Sequence, residues 1–210
     1  MVKNVPESIE ENGQFLSDPF LQLPTLDSVN VVWFTNFAGQ SHQLHYGDGL
    51  IAEATTTKMT RTFEDADSSQ PGRDYQTLTL RKVYRHEATA TSLTAGVRLN
   101  YQVKSTTDEG QILLSDSYSL MPLPEKNTPL KILLTSDLQS KTNSPANYQK
   151  VVETIGVPDA VFFAGDLVNI PDRASEWFDQ IEDGAPPFFP TLQGRYQQLK
   201  PDSVYNGGEI

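Results

Sequence analysis

Cysteine is missing from all 210 residues. That excludes disulfides, thiolate zinc sites and a cysteine nucleophile. Histidine is scarce. The three present are His42, His45 and His86, all in the first half of the chain. Basic residues are few: 16 Lys and Arg face 27 Asp and Glu, for a net charge of −11. The deficit is spread along the chain, with 10 basic against 16 acidic residues before position 127 and 6 against 11 after it. A general nucleic-acid surface needs basic patches, so no nucleic-acid partner is expected. A phosphorylated substrate stays open, because a bound metal ion reverses the local sign. No apolar run reaches the length of a membrane span, so no membrane partner is expected either. The first residues, MVKNVPESIEENGQFLSDPF, hold no apolar run like that of a signal peptide. The compartment is left as the cytoplasm, or the outside if a leader has been removed.

What is present is an ordinary globular mixture, 37% hydrophobic and 20% charged. Residues 1–14 read as a polar, flexible lead-in. Residues 15–123 carry about seven short strands separated by turn signals. The strongest is Ser28–Thr35, where Val29, Val31 and Trp33 share a face. Pro19–Leu23, Gln43–Tyr46, one or two strands in Ile51–Phe63, Tyr75–Tyr84, Glu87–Leu93, Val97–Ser105 and Gln111–Met121 complete the set, with Glu64–Asp74 as a loop. This spacing predicts a β-sandwich. Residues 124–129 form a Pro-containing linker.

Residues 130–210 change character. Lys131–Thr135 is an apolar strand ending in Ser136-Asp137. A helix is expected from Ser144 as N-cap, with Pro145 at its first position and Gly156 as its stop. Tyr148, Val151, Val152 and Ile155 give that helix an apolar face. Ala160–Ala164 is a second apolar strand ending in Gly165-Asp166. Such strands suit a parallel sheet covered on both faces. A helical crossover then puts both C-terminal ends on one edge, where open α/β sheets place ligands. Asp137 and Asp166 would project from neighbouring strand ends, and two carboxylates that close favour a cation between them. Beyond them, Pro171–Ile181 reads as a helix, Asp183–Pro190 as a loop, and LQGRYQQLK as a possible short helix.

Two resemblances follow from these residues. The turn Leu93-Thr94-Ala95-Gly96 before Val97–Val103 resembles the E-to-F corner of a fibronectin type III module. It departs from it in Ala95, where that family has Pro, and in Leu99, where the corner tyrosine stands; Tyr101 follows two positions later. A generic Greek-key sandwich is the alternative. TSDLQ, followed about thirty residues later by FFAGDLVN, is similar to the first two blocks of the calcineurin-like metallophosphoesterases. The sandwich in front resembles the purple-acid-phosphatase branch of that superfamily. The resemblance implies a fibronectin type III-like β-sandwich followed by the start of an α/β metallophosphoesterase domain. It implies a metal-dependent phosphoric ester hydrolase with two metal ions (Fe, Zn or Mn), whose metal-bound hydroxide attacks a phosphorylated small-molecule or ester substrate. Asp137 would ligate one metal and Asp166 would bridge both. Gln139 stands where many members have a ligating histidine, and Asn169 where the purple branch has a tyrosine. Both are possible supporting residues.

The family's later histidine blocks find no match here. The chain is therefore expected to be an N-terminal portion, inactive alone, or a natural short form. Its second part should expose apolar surface around Val161, Phe162, Phe163 and Trp177. His42 and His45 should face opposite sides of a strand, and His86 should be a packed or hydrogen-bonded residue. The competing reading is a non-catalytic binding or adhesion protein built on a sandwich with a degenerate phosphoesterase domain. A phosphoryl-accepting receiver is disfavoured, since no acidic pair follows a first strand.

Overall fold

The computed structural model describes residues 12–65, 78–178 and 185–209. The predicted lead-in therefore lies almost wholly outside the described residues, as do most of the Glu64–Asp74 loop and the end of the predicted Pro171–Ile181 helix. The chain divides into two units, Glu10–Thr60 with Lys82–Thr128, and Arg61–Arg81 with Pro129–Ile210.

The first unit is a β-sandwich. One sheet contains β1 (Phe20–Gln22) and β2 (Val29–Thr35); the other contains β3 (Ser41–Tyr46) and β4 (Leu50–Glu53). The chain then returns to the first sheet as β5 (Thr55–Lys58). The next two strands, β6 (Phe63–Asp65) and β7 (Leu78–Leu80), pair with each other and belong to the second unit. The sandwich resumes with β8 (Tyr84–Ala90), β9 (Leu99–Thr106), β10 (Ile112–Leu114) and β11 (Tyr118–Leu120). The first sheet has the order β1-β2-β8-β5 and the second β10-β9-β3-β4, with β11 also on β9. In the lettering of immunoglobulin-type sandwiches this is A-B-E-D against G-F-C-C′.

The alternation read in β2 holds: Val29, Val31 and Trp33 all lie in the core, with Leu44, Tyr46, Ala88, Ala90, Tyr101, Val103 and Leu120. The other face of β2 is covered too, since Val32 and Phe34 are buried and Phe34 stacks on Phe20. The single strand expected over Gln111–Met121 is split. Leu114 pairs with Lys104 and Tyr118 with Tyr101. The split strand thus holds one residue more than its partner over this interval, the signature of a bulge. Ser115 stitches the bulge to β9, its N–H reaching the Val103 carbonyl and its hydroxyl accepting the Val103 N–H. Tyr101 donates to the Pro19 carbonyl, 3.3 Å away and 82 positions upstream. A tyrosine corner instead bonds backbone a few residues upstream.

The predicted histidine placement holds for β3, with His42 buried and His45 half-buried on the opposite face. Less expected is that the His42 and His86 rings stack, their centroids 3.6 Å apart.

The second unit carries β12 (Ile132–Thr135), α1 (Ser144–Ile155), β13 (Ala160–Phe163), α2 (Ala174–Phe178), α3 (Phe188–Leu192) and α4 (Tyr196–Leu199). β12 and β13 are parallel and adjacent, from Ile132 opposite Ala160 to Thr135 opposite Phe163. Helix α1 ends where expected, with Gly156 at φ 75° and its N–H on the Val152 carbonyl. Its start is one residue early: Asn143 is the N-cap, because the Ser144 hydroxyl turns to the Leu138 carbonyl. The expected loop over Asp183–Pro190 runs into helix α3 instead. Pro190 is tolerated there because it lies in the first turn, where its missing N–H has no partner to lose. Phe188 and Phe189 of α3 pack with Phe163, Trp177 and Phe178 into an aromatic cluster.

The predicted apolar exposure holds at Phe162, while Val161 is half-buried. Phe163 and Trp177 are half-buried by that cluster. Ile132, Leu134 and Phe162, which the pleat and register put on one face, are 54%, 72% and 57% exposed.

The β6–β7 hairpin reaches the start of α2. Phe63 donates its N–H to the Asp172 carbonyl at 2.7 Å, and Arg61 pairs with the Asp172 carboxylate at 3.1 Å. Glu64 accepts the Ser175 N–H and faces Arg81 at 3.6 Å. Strands β6 and β7, expected within the sandwich, thus belong with the α/β unit.

Candidate metal centre

The ladder between β12 and β13 continues past both strand ends. Ala164 donates to the Thr135 carbonyl at 2.8 Å, Asp137 to Gly165 at 3.3 Å, and Gln139 to Leu167 at 3.1 Å. The loops after the two strands are therefore stitched edge to edge, and Asp137 and Asp166 lie on neighbouring strands at the same end. Both are exposed at the rim.

The backbone at this rim is unusual. Asp137, Gln139, Ser140 and Asp166 have φ of 57°, 41°, 52° and 53°. These are four of the seven non-glycine residues at positive φ among the described residues. Such conformations cost on the order of 1–3 kcal/mol each and concentrate where a site must hold its groups in place. Asp carries the cost more easily than most residues, because its short side chain bonds locally. Ser136 does this for Asp137, its hydroxyl donating to Oδ2.

The side chains join the two loops a second time. The Gln139 amide donates to Asp166 Oδ2 at 3.1 Å. Asn169 Nδ2 donates to the Gln139 carbonyl at 2.9 Å. Both amides spend N–H groups on the rim itself, so each braces a neighbour. Beneath them Tyr148, on α1, is buried, which raises its phenol above the usual range despite a hydrogen bond to Thr135.

One participant carries no signature in the sequence. Glu176, on α2, is fully buried, and its Oε2 accepts the N–H of Asn169 at 2.6 Å and of Ile170 at 3.2 Å. Arg173, equally buried, lies 4.0 Å from its other oxygen. In sequence Glu176 sits between Ser175 and Trp177 in a helix whose acidic position reads as a solvent face.

Carboxylate and amide oxygens suit hard and borderline divalent cations. Two carboxylates are what this rim supplies: among the described residues no three His, Cys, Asp or Glu side chains converge on one point. His42, His45 and His86 belong to the sandwich strands and take no part in it.

The sequence matches no known family model and no curated protein. Its backbone superposes on that of a purple acid phosphatase from yellow lupin (Lupinus luteus) seeds, with a TM-score of 0.51 and 16% identity over 91% of this chain. The likeness is one of fold. This chain spans 34% of the lupin phosphatase. Weaker likenesses, over 66% of this chain in each case, are to the vertebrate protein astrotactin-2 (TM-score 0.32, 12% identity, 25% of that chain) and to a family 28 exopolygalacturonase from Yersinia enterocolitica (TM-score 0.29, 14% identity, 26% of that chain). No helix among the described residues is long and apolar enough to cross a membrane.

Proposed function

We propose that this chain supplies part of a metal-dependent phosphoric ester hydrolase, with Asp137 and Asp166 as its metal ligands. The observation that carries the reading is the stitched pair of strand ends, which delivers two carboxylates to one rim on strained backbone. The phosphatase-like fold supports it. A metal pair at this rim would supply positive charge to the phosphoryl oxygens and an acidified water. The chain's own residues hold the ligands. Ser136 fixes one Asp137 oxygen, Gln139 fixes one Asp166 oxygen, and Asn169 locks Gln139. Gln139 and Asn169 are thus read as supports. Fe, Zn and Mn all remain open as the metals, and the sandwich is read as fibronectin type III-like in role, a module preceding the catalytic fold. The substrate class is a phosphate ester of a small molecule.

The reading of the chain as a binding protein with a degenerate phosphoesterase part draws on the two-carboxylate limit of the described rim. Hydrolysis of p-nitrophenyl phosphate by the protein as its gene encodes it, with Mn²⁺, Zn²⁺ or Fe²⁺ supplied, separates the two. The hydrolase reading expects turnover that needs the metal and that Asp166→Asn lowers by at least about ten- to a hundredfold, the loss typical of merely supporting residues. Turnover that survives this substitution contradicts it, as does no turnover with any of Mn²⁺, Zn²⁺ and Fe²⁺.

A further inference from the structure

We propose that Glu176 is the positioning residue for the Asp166 carboxylate, and that the β6–β7 hairpin is the brace that holds Glu176 in place. The functional meaning of this device rests on the metal-ligand reading above; its geometry does not.

The chain of contacts is continuous. Glu176 Oε2 takes the N–H groups of Asn169 and Ile170, which fixes the loop following Asp166. Asn169, so held, bonds the Gln139 carbonyl, and the Gln139 amide bonds Asp166. A buried carboxylate accepting two backbone N–H groups is a strong, directional anchor, because charge-assisted bonds are short and roughly twice as strong as neutral ones. Burying a carboxylate is costly unless it is paired and hydrogen-bonded. Arg173 provides the opposite charge at 4.0 Å, and both side chains are fully buried.

Arg173 directly precedes, and Glu176 lies within, a five-residue helix too short to be stable by itself. The hairpin supplies what the helix lacks. It takes the Ser175 N–H with Glu64, bridges Phe63 to Arg173 through the backbone, and clamps Asp172 from Arg61 and the Phe63 N–H. A segment read from sequence as part of the sandwich thus reaches, through α2, the carboxylate at the rim. Coupling of this kind needs a connected physical network, which is present here bond by bond.

The test uses the full 210-residue chain and three variants. Glu176→Gln keeps an oxygen acceptor for the two N–H groups, Glu176→Ala removes it, and Asn169→Ala cuts the next link while leaving Glu176 and Arg173 intact. Two readouts need no metal: hydrogen exchange of the Asn169 and Ile170 amides, and the ¹³C signal of the Asp166 carboxyl group. A third is Mn²⁺ affinity by electron paramagnetic resonance. Glu176→Ala should lose amide protection and shift the Asp166 signal, and Glu176→Gln should restore most of both. Asn169→Ala should shift the Asp166 signal in a chain that melts like wild type, which keeps the test decisive if Glu176→Ala fails to fold. Mn²⁺ affinity should fall about ten- to a hundredfold in Glu176→Ala and Asn169→Ala, as for other residues that orient a ligand. An Asp166 signal unmoved in Asn169→Ala, or amides still protected in Glu176→Ala, overturns the proposal. Absence of Mn²⁺ binding in wild type would remove Mn²⁺ as the rim's metal, while the exchange and carboxyl arms still decide the positioning role.

Discussion

Replacing Arg173 with Met should destabilise the α/β unit by about 3–5 kcal/mol, the usual cost of stripping the partner from a buried charge. Arg173 and Glu176 are both fully buried. With the guanidinium gone, Glu176 keeps its two backbone donors but loses the only positive group paired with it among the described residues. The loss should be partly recovered in Arg173→Met with Glu176→Gln, which removes the charge that Glu176 would otherwise keep buried without Arg173. The protein has two tryptophans. Trp177 belongs to the α/β unit and Trp33 to the sandwich core. Urea unfolding followed at Trp177 in a Trp33→Phe background therefore reads the right unit. A midpoint unchanged by Arg173→Met would show that the pair contributes nothing.

Acid should weaken the sandwich through the stacked histidines. Their hydrogen bonds suit two neutral rings. His42 Nε2 faces the Ala38 carbonyl at 2.6 Å and must donate to it, which in a neutral ring leaves Nδ1 to accept from the Ser105 hydroxyl, 2.8 Å away. That hydroxyl in turn accepts the Trp33 indole N–H. The Thr35 hydroxyl donates to the Phe37 carbonyl, so it accepts from His86 Nε2, which in a neutral ring leaves Nδ1 to accept from Thr56. Each ring then has both nitrogens partnered without a charge, and burial disfavours a second proton. Burial and the neighbouring His42 push His86 down to about 3. Burial lowers His42 too, against the Ala38 carbonyl and the Asp108 carboxylate, which favour its charged form.

The sign follows from the proton count. Below about 6.5 the unfolded chain binds a proton at position 86 that the folded chain refuses. Stability is therefore complete above that pH and falls as pH drops toward 3. At pH 4 the loss from His86 alone is about 3 kcal/mol. Chemical unfolding followed at Trp33 in a Trp177→Phe background, between pH 7.5 and 4, measures it. His86→Gln, which keeps a donor and an acceptor, should lower stability at pH 7.5 but flatten the slope by about that amount. An equal slope in both proteins would contradict the assignment.

How much of this was legible depends on how local each signal is. The α1 helix and its two flanking strands were readable because Pro145, Gly156 and the apolar runs act within a few residues of themselves. The N-cap slipped by one because the Ser144 hydroxyl prefers a carbonyl six residues back. Helix α3 was hidden by Pro187 and Pro190, which read as breakers when the first is a cap and the second sits where no N–H is needed. The placement of β6 and β7 left no local trace at all, since a strand pair looks the same whichever core it packs on. The rim carboxylates were legible from two strand-end motifs, whereas Glu176 and the His42–His86 stack arise only from tertiary packing. Of the three histidines, His42 and His45 are near neighbours in sequence but face opposite sides of β3. The pairing that forms is across the two sheets, with His42 on β3 and His86 on β8.

The central claim is that two adjoining strand ends make one cation-binding rim. Paramagnetic broadening of assigned amide signals by sub-stoichiometric Mn²⁺ tests it most directly, because the effect marks where the ion sits. The account predicts broadening centred on Ser136 to Gln139 and Gly165 to Asn169, abolished in Asp137→Asn with Asp166→Asn. Broadening centred on the sandwich histidines or on other acidic residues, with the rim signals left sharp, would contradict it.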